Sequence, residues 1–245
     1  MPRFFVTGEG PQDNIIHIDG ADAHHIARSL RMAEGDEITV CTGDGREHSC
    51  TLVRIRDEEC LAEIKSTEHS KSESSVKITL CMAYPKSDKL ETVIQKSVEL
   101  GVYRIIPFES SRCIKRPKAE KVEKQTARLM RIAEEAAKQC GRAMIPEVTP
   151  PVSFNQMLNS ISDGATALLC YENEDGLTIK GAIKSLINPS EIFIIVGSEG
   201  GFSPEEAELA VKKGCISVSL GNRILRCETA PLYALSALSY EFELD

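Results

Sequence analysis

Apolar residues follow two rhythms along this chain, and the change between them lies near residue 70. Before it, short apolar runs bounded by turn residues read as strands. They are RFFV at 3–6, NIIHI at 14–18, DEITVCTG at 36–43, EHSCTLVRI at 47–55 and CLAEIKS at 60–66. TGDGRE, between the third and fourth, is a hairpin signal. One helix, about Ala21 to Met32, interrupts them. So many short strands in so few residues predict a small β-barrel. The polar, serine-rich STEHSKSESS, Ser66 to Ser75, reads as a linker. Domains are therefore expected at 1–70 and 76–245.

From Val76 the pattern changes. VKITLCMAY is an apolar run, and SDKLETVIQKSVELG sets Leu90, Val93, Ile94 and Val98 at helical spacing and ends at Gly101. VYRIIPF is the next strand, and a long helix follows from about Lys118 to Cys140. TALLCY, EIFIIVG and ISVSLG are three more strands, with helices between and after them. Strands alternating with helices predict a parallel sheet covered on both faces. Ligands in such sheets bind at the carboxyl ends of strands. Here those ends are Tyr171–Glu172, Gly197–Gly201 and Leu220–Gly221.

The second of these ends carries the most chemistry. In IIVGSEGGFSPEE, Ile194 to Glu206, an apolar run meets Gly197, Gly200 and Gly201. Ser203 suits a helix cap, Pro204 the first helical position, and Glu206 completes a capping box. Such a turn presents free N–H groups, yet Glu199 inside it would repel a phosphate. The spacing is neither G-x-G-x-x-G nor a Walker A loop, so dinucleotide and triphosphate sites lose support. Val196 stands where a nucleophile elbow needs glycine. All five histidines precede the second domain, which removes a Ser-His-Asp triad there, and metal-ligand spacing is absent. A carboxylate beside closely approaching backbone suits a ligand with donors or positive charge. S-adenosylmethionine, with a sulfonium, an ammonium and an adenine amino group, fits that description. A plain strand-to-helix turn with Glu199 in solvent fits the same residues.

The third end favours a ligand. LGNRILRCETAPLYALSAL, Leu220 to Leu238, gathers Gly221, Arg223 and Arg226 around the apolar pair Ile224–Leu225, before a helix that opens at Thr229. An apolar pair can pack on a flat heterocycle, and arginine can orient a uracil carbonyl or a phosphate.

Charge adds a second theme. The chain is acidic overall, with 29 Lys+Arg against 37 Asp+Glu. One basic island, centred on SRCIKRPKAEKVEKQTARLMR from Ser111 to Arg131, stands between two acidic segments. It reads as a polyanion footprint or as a solvated helix face. Nine scattered cysteines without C-x-x-C argue against a disulfide framework or a zinc site and for a reducing cytosol. No apolar run approaches the roughly 20 residues of a membrane span, and MPRFFVTGEG lacks a signal peptide's apolar region.

GSEGGFSPEE together with SLGNRILRCETA closely resembles the RsmE family of SPOUT-class methyltransferases, which modify N3 of a uridine in small-subunit (16S) ribosomal RNA. HHIARSLRMAEGDEI resembles the family's PUA-like N-terminal motif, and KSDKLETVIQKSVELGVYRIIPF the opening of its catalytic domain. The resemblance spans the whole chain. It implies an α/β fold, a SPOUT-type parallel sheet with a C-terminal trefoil knot, after a small PUA-like β-barrel that binds RNA. It implies a cytoplasmic homodimer, with no metal and no membrane, acting on 16S rRNA in the small subunit. The last helix, with Leu232, Leu235 and Leu238, is expected to serve both core and dimer. S-adenosyl-L-methionine is expected against Tyr171, Glu172, Gly197, Ser198, Glu199, Gly200, Gly201, Leu220, Gly221, Ile224, Leu225 and Thr229. Arg226 is expected to stabilise charge on the uracil oxygens, and Glu199 to act as base or donor ligand. His25, Arg28, Arg31, Arg112, Lys115 and Arg116 are the expected RNA contacts. Asn222 and Cys227 depart from the family's usual proline and threonine, which bears on the detail of that loop. The competing reading is a non-catalytic RNA-binding or ribosome-assembly protein, which would show no affinity for the methyl donor.

Overall fold

The computed structural model describes residues 1–6, 11–86, 88–114, 116–117 and 119–244. They form two compact units. The first takes in Met1–Glu73 and Ala137–Ile145, and the second Ser74–Ala136 and Pro146–Asp245.

The first unit holds β1 (Arg3–Phe5), β2 (Ile15–Asp19), α1 (Gly20–His24), β3 (Glu37–Cys41), β4 (Arg46–Ile55) and β5 (Glu59–His69). Its five-stranded sheet runs β1-β3-β4-β5-β2, with β1 parallel to β3 and the other pairs antiparallel. Register shifts at Ser49/Cys50 and Leu52/Arg54 bend the long β4–β5 ribbon. That bend lets one face close over Phe4, Ile18, Ile26, Ile38, Val40 and Leu52. Two expectations need correction. The helix expected to reach Met32 ends sooner: α1 passes into a π-helical turn, His25–Ser29, and Arg31 at φ 51° stops it. Met32 N–H then donates to Ile26 O, six residues back, at 3.1 Å, which closes the end. The serine-rich segment expected as a linker begins as strand, because Ser66 to His69 pair with Arg46 to Ser49.

The second unit holds β6 (Lys77–Ala83), α2 (Lys89–Glu99), β7 (Arg104–Glu109), α3 (Val122–Cys140, whose last turn belongs to the first unit), β8 (Glu147–Val148) and β9 (Val152–Ser153). It continues with α4 (Phe154–Asn159), β10 (Thr166–Cys170), α5 (Ile179–Lys184), β11 (Glu191–Val196), α6 (Pro204–Lys212), β12 (Ile216–Val218) and α7 (Thr229–Phe242). The sheet is parallel throughout, in the order β12-β10-β11-β6-β7-β8, with β9 also on β7. Central β6 and β11 are buried along almost their whole length, as strands covered on both faces must be. β10 lies between β11 and β12, so the three expected ligand loops leave neighbouring strands at the same end. The capping box at α6 is present, with Ser203 accepting from Glu206 N–H and Glu206 from Ser203 N–H. In α7, Leu235 and Leu238 are core, and Leu232 is half-buried. All nine cysteines are free thiols, and no helix of the described residues is long and apolar enough to cross a membrane.

One polar cluster secures the first unit's distant segment. The Glu73 carboxylate accepts from Arg142 Nη2 at 2.6 Å, Arg142 Nε at 3.2 Å, Ala143 N at 2.9 Å and Met144 N at 3.1 Å. Arg142 is buried. Removing one partner of a buried ion pair is far costlier than never having had the pair. Glu73→Ala is therefore expected to lower stability by about 3–5 kcal/mol, read as a shift in the urea midpoint. A midpoint equal to the parent's would show that the cluster contributes nothing.

Candidate methyl-donor and RNA site

The three loops at the carboxyl ends of β10, β11 and β12 enclose a cavity of about 330 Å³. Its wall includes Tyr171, Glu172, Gly197, Ser198, Glu199, Gly201, Leu220, Gly221, Ile224, Leu225 and Arg226, so most of the sequence candidates converge. Gly200 and Thr229 are not in the wall. Gly200 turns its carbonyl to Arg112, whose guanidinium donates to it at 3.1 Å. Thr229 starts α7, its N–H donating to Arg226 O at 2.8 Å. Sequence reasoning missed Lys89, Cys170, Val196, Phe202, Ser219 and Ala230, which also line the cavity. Lys89 comes from a distant helix start, and no local pattern marks it.

The glycine loop is shaped by close approach. Gly201 has φ 63°, a left-handed backbone, and a Cβ there would collide with the Glu172 carboxylate. A Cβ on Gly200 would stand 2.9 Å from Arg112 Cβ. Gly201 N–H donates to Ser198 O at 3.0 Å, closing a tight turn. Outside it, Ser111 donates through N–H and Oγ to Glu206 at 2.7 and 2.9 Å, which fastens the neighbouring loop to the start of α6.

Charge in the site is organised by Lys89. Its Nζ lies 3.2 Å from Glu199 Oε1 and 3.0 Å from Glu228 Oε2. Lys86 N–H donates to Glu199 at 3.1 Å. Partial burial pushes the Glu199 pKa up, but hydrogen bonds from its own N–H, Lys86 N–H and Lys89 outweigh that and hold it below the usual carboxylate range. Glu228 is likewise depressed: burial is outweighed by its own N–H, Lys89 and the Cys227 thiol. The Lys89 ammonium is raised, first by Glu228 and then by Glu199. Burial, reinforced by Glu228, pushes the Cys227 thiol up to about 12, so it stays protonated and donates to Glu228 at 3.2 Å. The thiol thus still supplies a donor where the family's usual hydroxyl is missing. Ile224 and Arg226 are exposed at the cavity lip.

Among the RNA candidates, His25, Arg28 and Arg31 are exposed on the first unit, with Arg28 ion-paired to Asp57. Arg112 and Arg116 belong to the second unit, where Arg116 Nε lies 3.8 Å from Glu109. Lys115 lies outside the described residues. Gly201→Ala is expected to cost about 1–2 kcal/mol for the left-handed backbone alone, and to displace Glu172. Amide exchange at 198–201 should quicken measurably. Unchanged exchange and an unchanged unfolding midpoint would contradict this packing.

Comparison with known proteins bears on the whole chain. An RNA methyltransferase domain family matches residues 72–239, and an RNA methyltransferase PUA domain family matches residues 18–65. Ribosomal RNA small subunit methyltransferase E of Bacillus subtilis is 36% identical over 251 residues, covering 100% of this chain and 98% of that protein. Its counterpart in Mesomycoplasma hyopneumoniae is 31% identical, covering 96% and 98%. A solved Neisseria gonorrhoeae ribosomal RNA small subunit methyltransferase E, bound to S-adenosyl methionine, superposes with a TM-score of 0.86 at 31% identity, covering 99% of this chain and 98% of that one. With the cavity, the two-unit fold and full-length relatives in agreement, this chain belongs to the ribosomal RNA small subunit methyltransferase E family.

Proposed function

We propose that this protein transfers the methyl group of S-adenosyl-L-methionine to N3 of a uridine in 16S ribosomal RNA, acting on the assembled small subunit in the cytoplasm. The observation that carries this reading is the convergence of Glu172, Glu199, the 197–201 turn and Arg226 on one cavity. The donor set suits a cationic, phosphate-free ligand: carboxylates and close backbone line the wall, and Lys89 is already bridged by two carboxylates. The donor supplies an electrophilic methyl carbon on sulfur, which bonds to N3 as its bond to sulfur breaks, leaving the thioether, while the N3 proton passes to solvent water.

This chain's residues orient and stabilise. The turn and Glu199 hold the donor, and Ile224–Leu225 cover its flat ring. Arg226, at the lip, faces negative charge on the uracil oxygens as the proton leaves. Glu199, depressed and tied to Lys89, is a poor proton acceptor and serves binding. RNA capture falls to His25, Arg28 and Arg31 of the PUA-like unit and to Arg112, Lys115 and Arg116. Such phosphate contacts weaken as salt rises. Two finer features of the fold belong to the same proposal. The return of α7 to α2, α5 and β11 after edge strand β12 supports a trefoil knot. The exposed Tyr233 and Tyr240 support a homodimer through the outer face of α7.

Small subunits lacking the modification, incubated with the protein and labelled donor, should yield 3-methyluridine by nucleoside mass spectrometry. Arg226→Ala should lower kcat/KM by about 10²–10³-fold with donor affinity near the parent's. Full transfer by that variant at saturating RNA would remove Arg226 from the chemistry. Replacing Tyr233 and Tyr240 together by Glu should give a monomer by light scattering; a retained dimer would move the interface elsewhere.

A further inference from the structure

Lys89 stands in an unfavourable place for its own helix. It is the first residue of α2, where the helix dipole favours anions. The carboxylates it meets belong to two separate loops: Glu199 in the turn after β11, and Glu228 just before α7. The Lys89 side chain is 28% exposed, against 24% for Glu199 and 27% for Glu228, so solvent screens the group only in part. Its Nζ also reaches Cys227 Sγ at 3.8 Å. A residue that breaks a local rule while satisfying a distant one marks a functional position.

We infer that Lys89 is a positioning residue for the methyl donor, whose ammonium ties the 197–201 turn to the 220–228 segment and so sets the width of the cavity between them. The inference rests on the donor-binding reading above. Without the ammonium, two carboxylates that now share one cation would face each other as like charges. The Lys86 N–H would still hold Glu199, but nothing comparable in the described contacts would draw Glu228 toward it. The two loops would separate, and a ligand gripped by both would lose one side of its grip.

The test is calorimetric titration with S-adenosylhomocysteine. That probe lacks the sulfonium charge and is net neutral, so it reads cavity width with less of the added attraction a more negative site gives the cationic donor. Lys89→Met should weaken its binding about tenfold, in keeping with the loss of two partly exposed ion pairs. Lys89→Arg, which can bridge both carboxylates, should restore affinity to within about threefold of the parent. In turnover, the loss should appear chiefly as a raised KM for the donor, with a smaller change in kcat. Lys89→Gln, of similar reach and uncharged, gives a second reading of the same loss. Parent-like affinity in both the Met and the Gln variants would overturn the inference and leave the donor site intact. Failure of Lys89→Arg to restore binding would overturn it too, pointing to direct contact between the amine and the ligand. If the parent chain bound no S-adenosylhomocysteine, the donor-binding reading and this inference would both fall.

Discussion

The site depends on the parallel alignment of three neighbouring strands. β12, β10 and β11 run the same way, so their carboxyl ends open side by side and the loops that follow share one volume. An antiparallel partner anywhere in this trio would send its loop to the opposite edge. The alignment in turn requires buried strands, since each crossover lays a helix on a face of the sheet. The apolar runs of β6 and β11 meet that requirement. Phe202, fully buried just after the glycine turn, stacks on Phe108 at a centroid distance of 6.3 Å.

On this frame, polar contacts fix detail that burial cannot. Gly201 accepts the left-handed turn, Glu172 fills the space its missing side chain leaves, and Arg112 closes over Gly200. Arg112, in the basic segment, thus packs directly on the glycine turn that borders the cavity.

The parallel sheet, the α6 capping box and the convergence of three strand ends were legible in the sequence. Each rests on local pattern: apolar runs, glycine clusters, and a serine three residues before a glutamate. Lys89 was not legible, because its partners lie more than a hundred residues away in sequence and its own helix gives no reason for it. Gly200 and Thr229 were read as ligand contacts from their place in the motifs. The direction in which a loop residue points is set by tertiary neighbours, here Arg112 and Arg226. The extension of β5 into a serine-rich segment shows the same limit: pairing with β4 overrides weak local preference.

The Glu73–Arg142 pair joins residues 69 positions apart, and the intervening chain belongs largely to the other unit. The first unit is thus interrupted by an insertion. During synthesis, its sheet can form early, but Glu73 must wait for Arg142 to emerge before its partner arrives. A fragment cut after residue 73 would carry that carboxylate without its cation, and would be a poor stand-in for the unit in isolation. The first unit therefore cannot complete this cluster until more than half of the chain has been made.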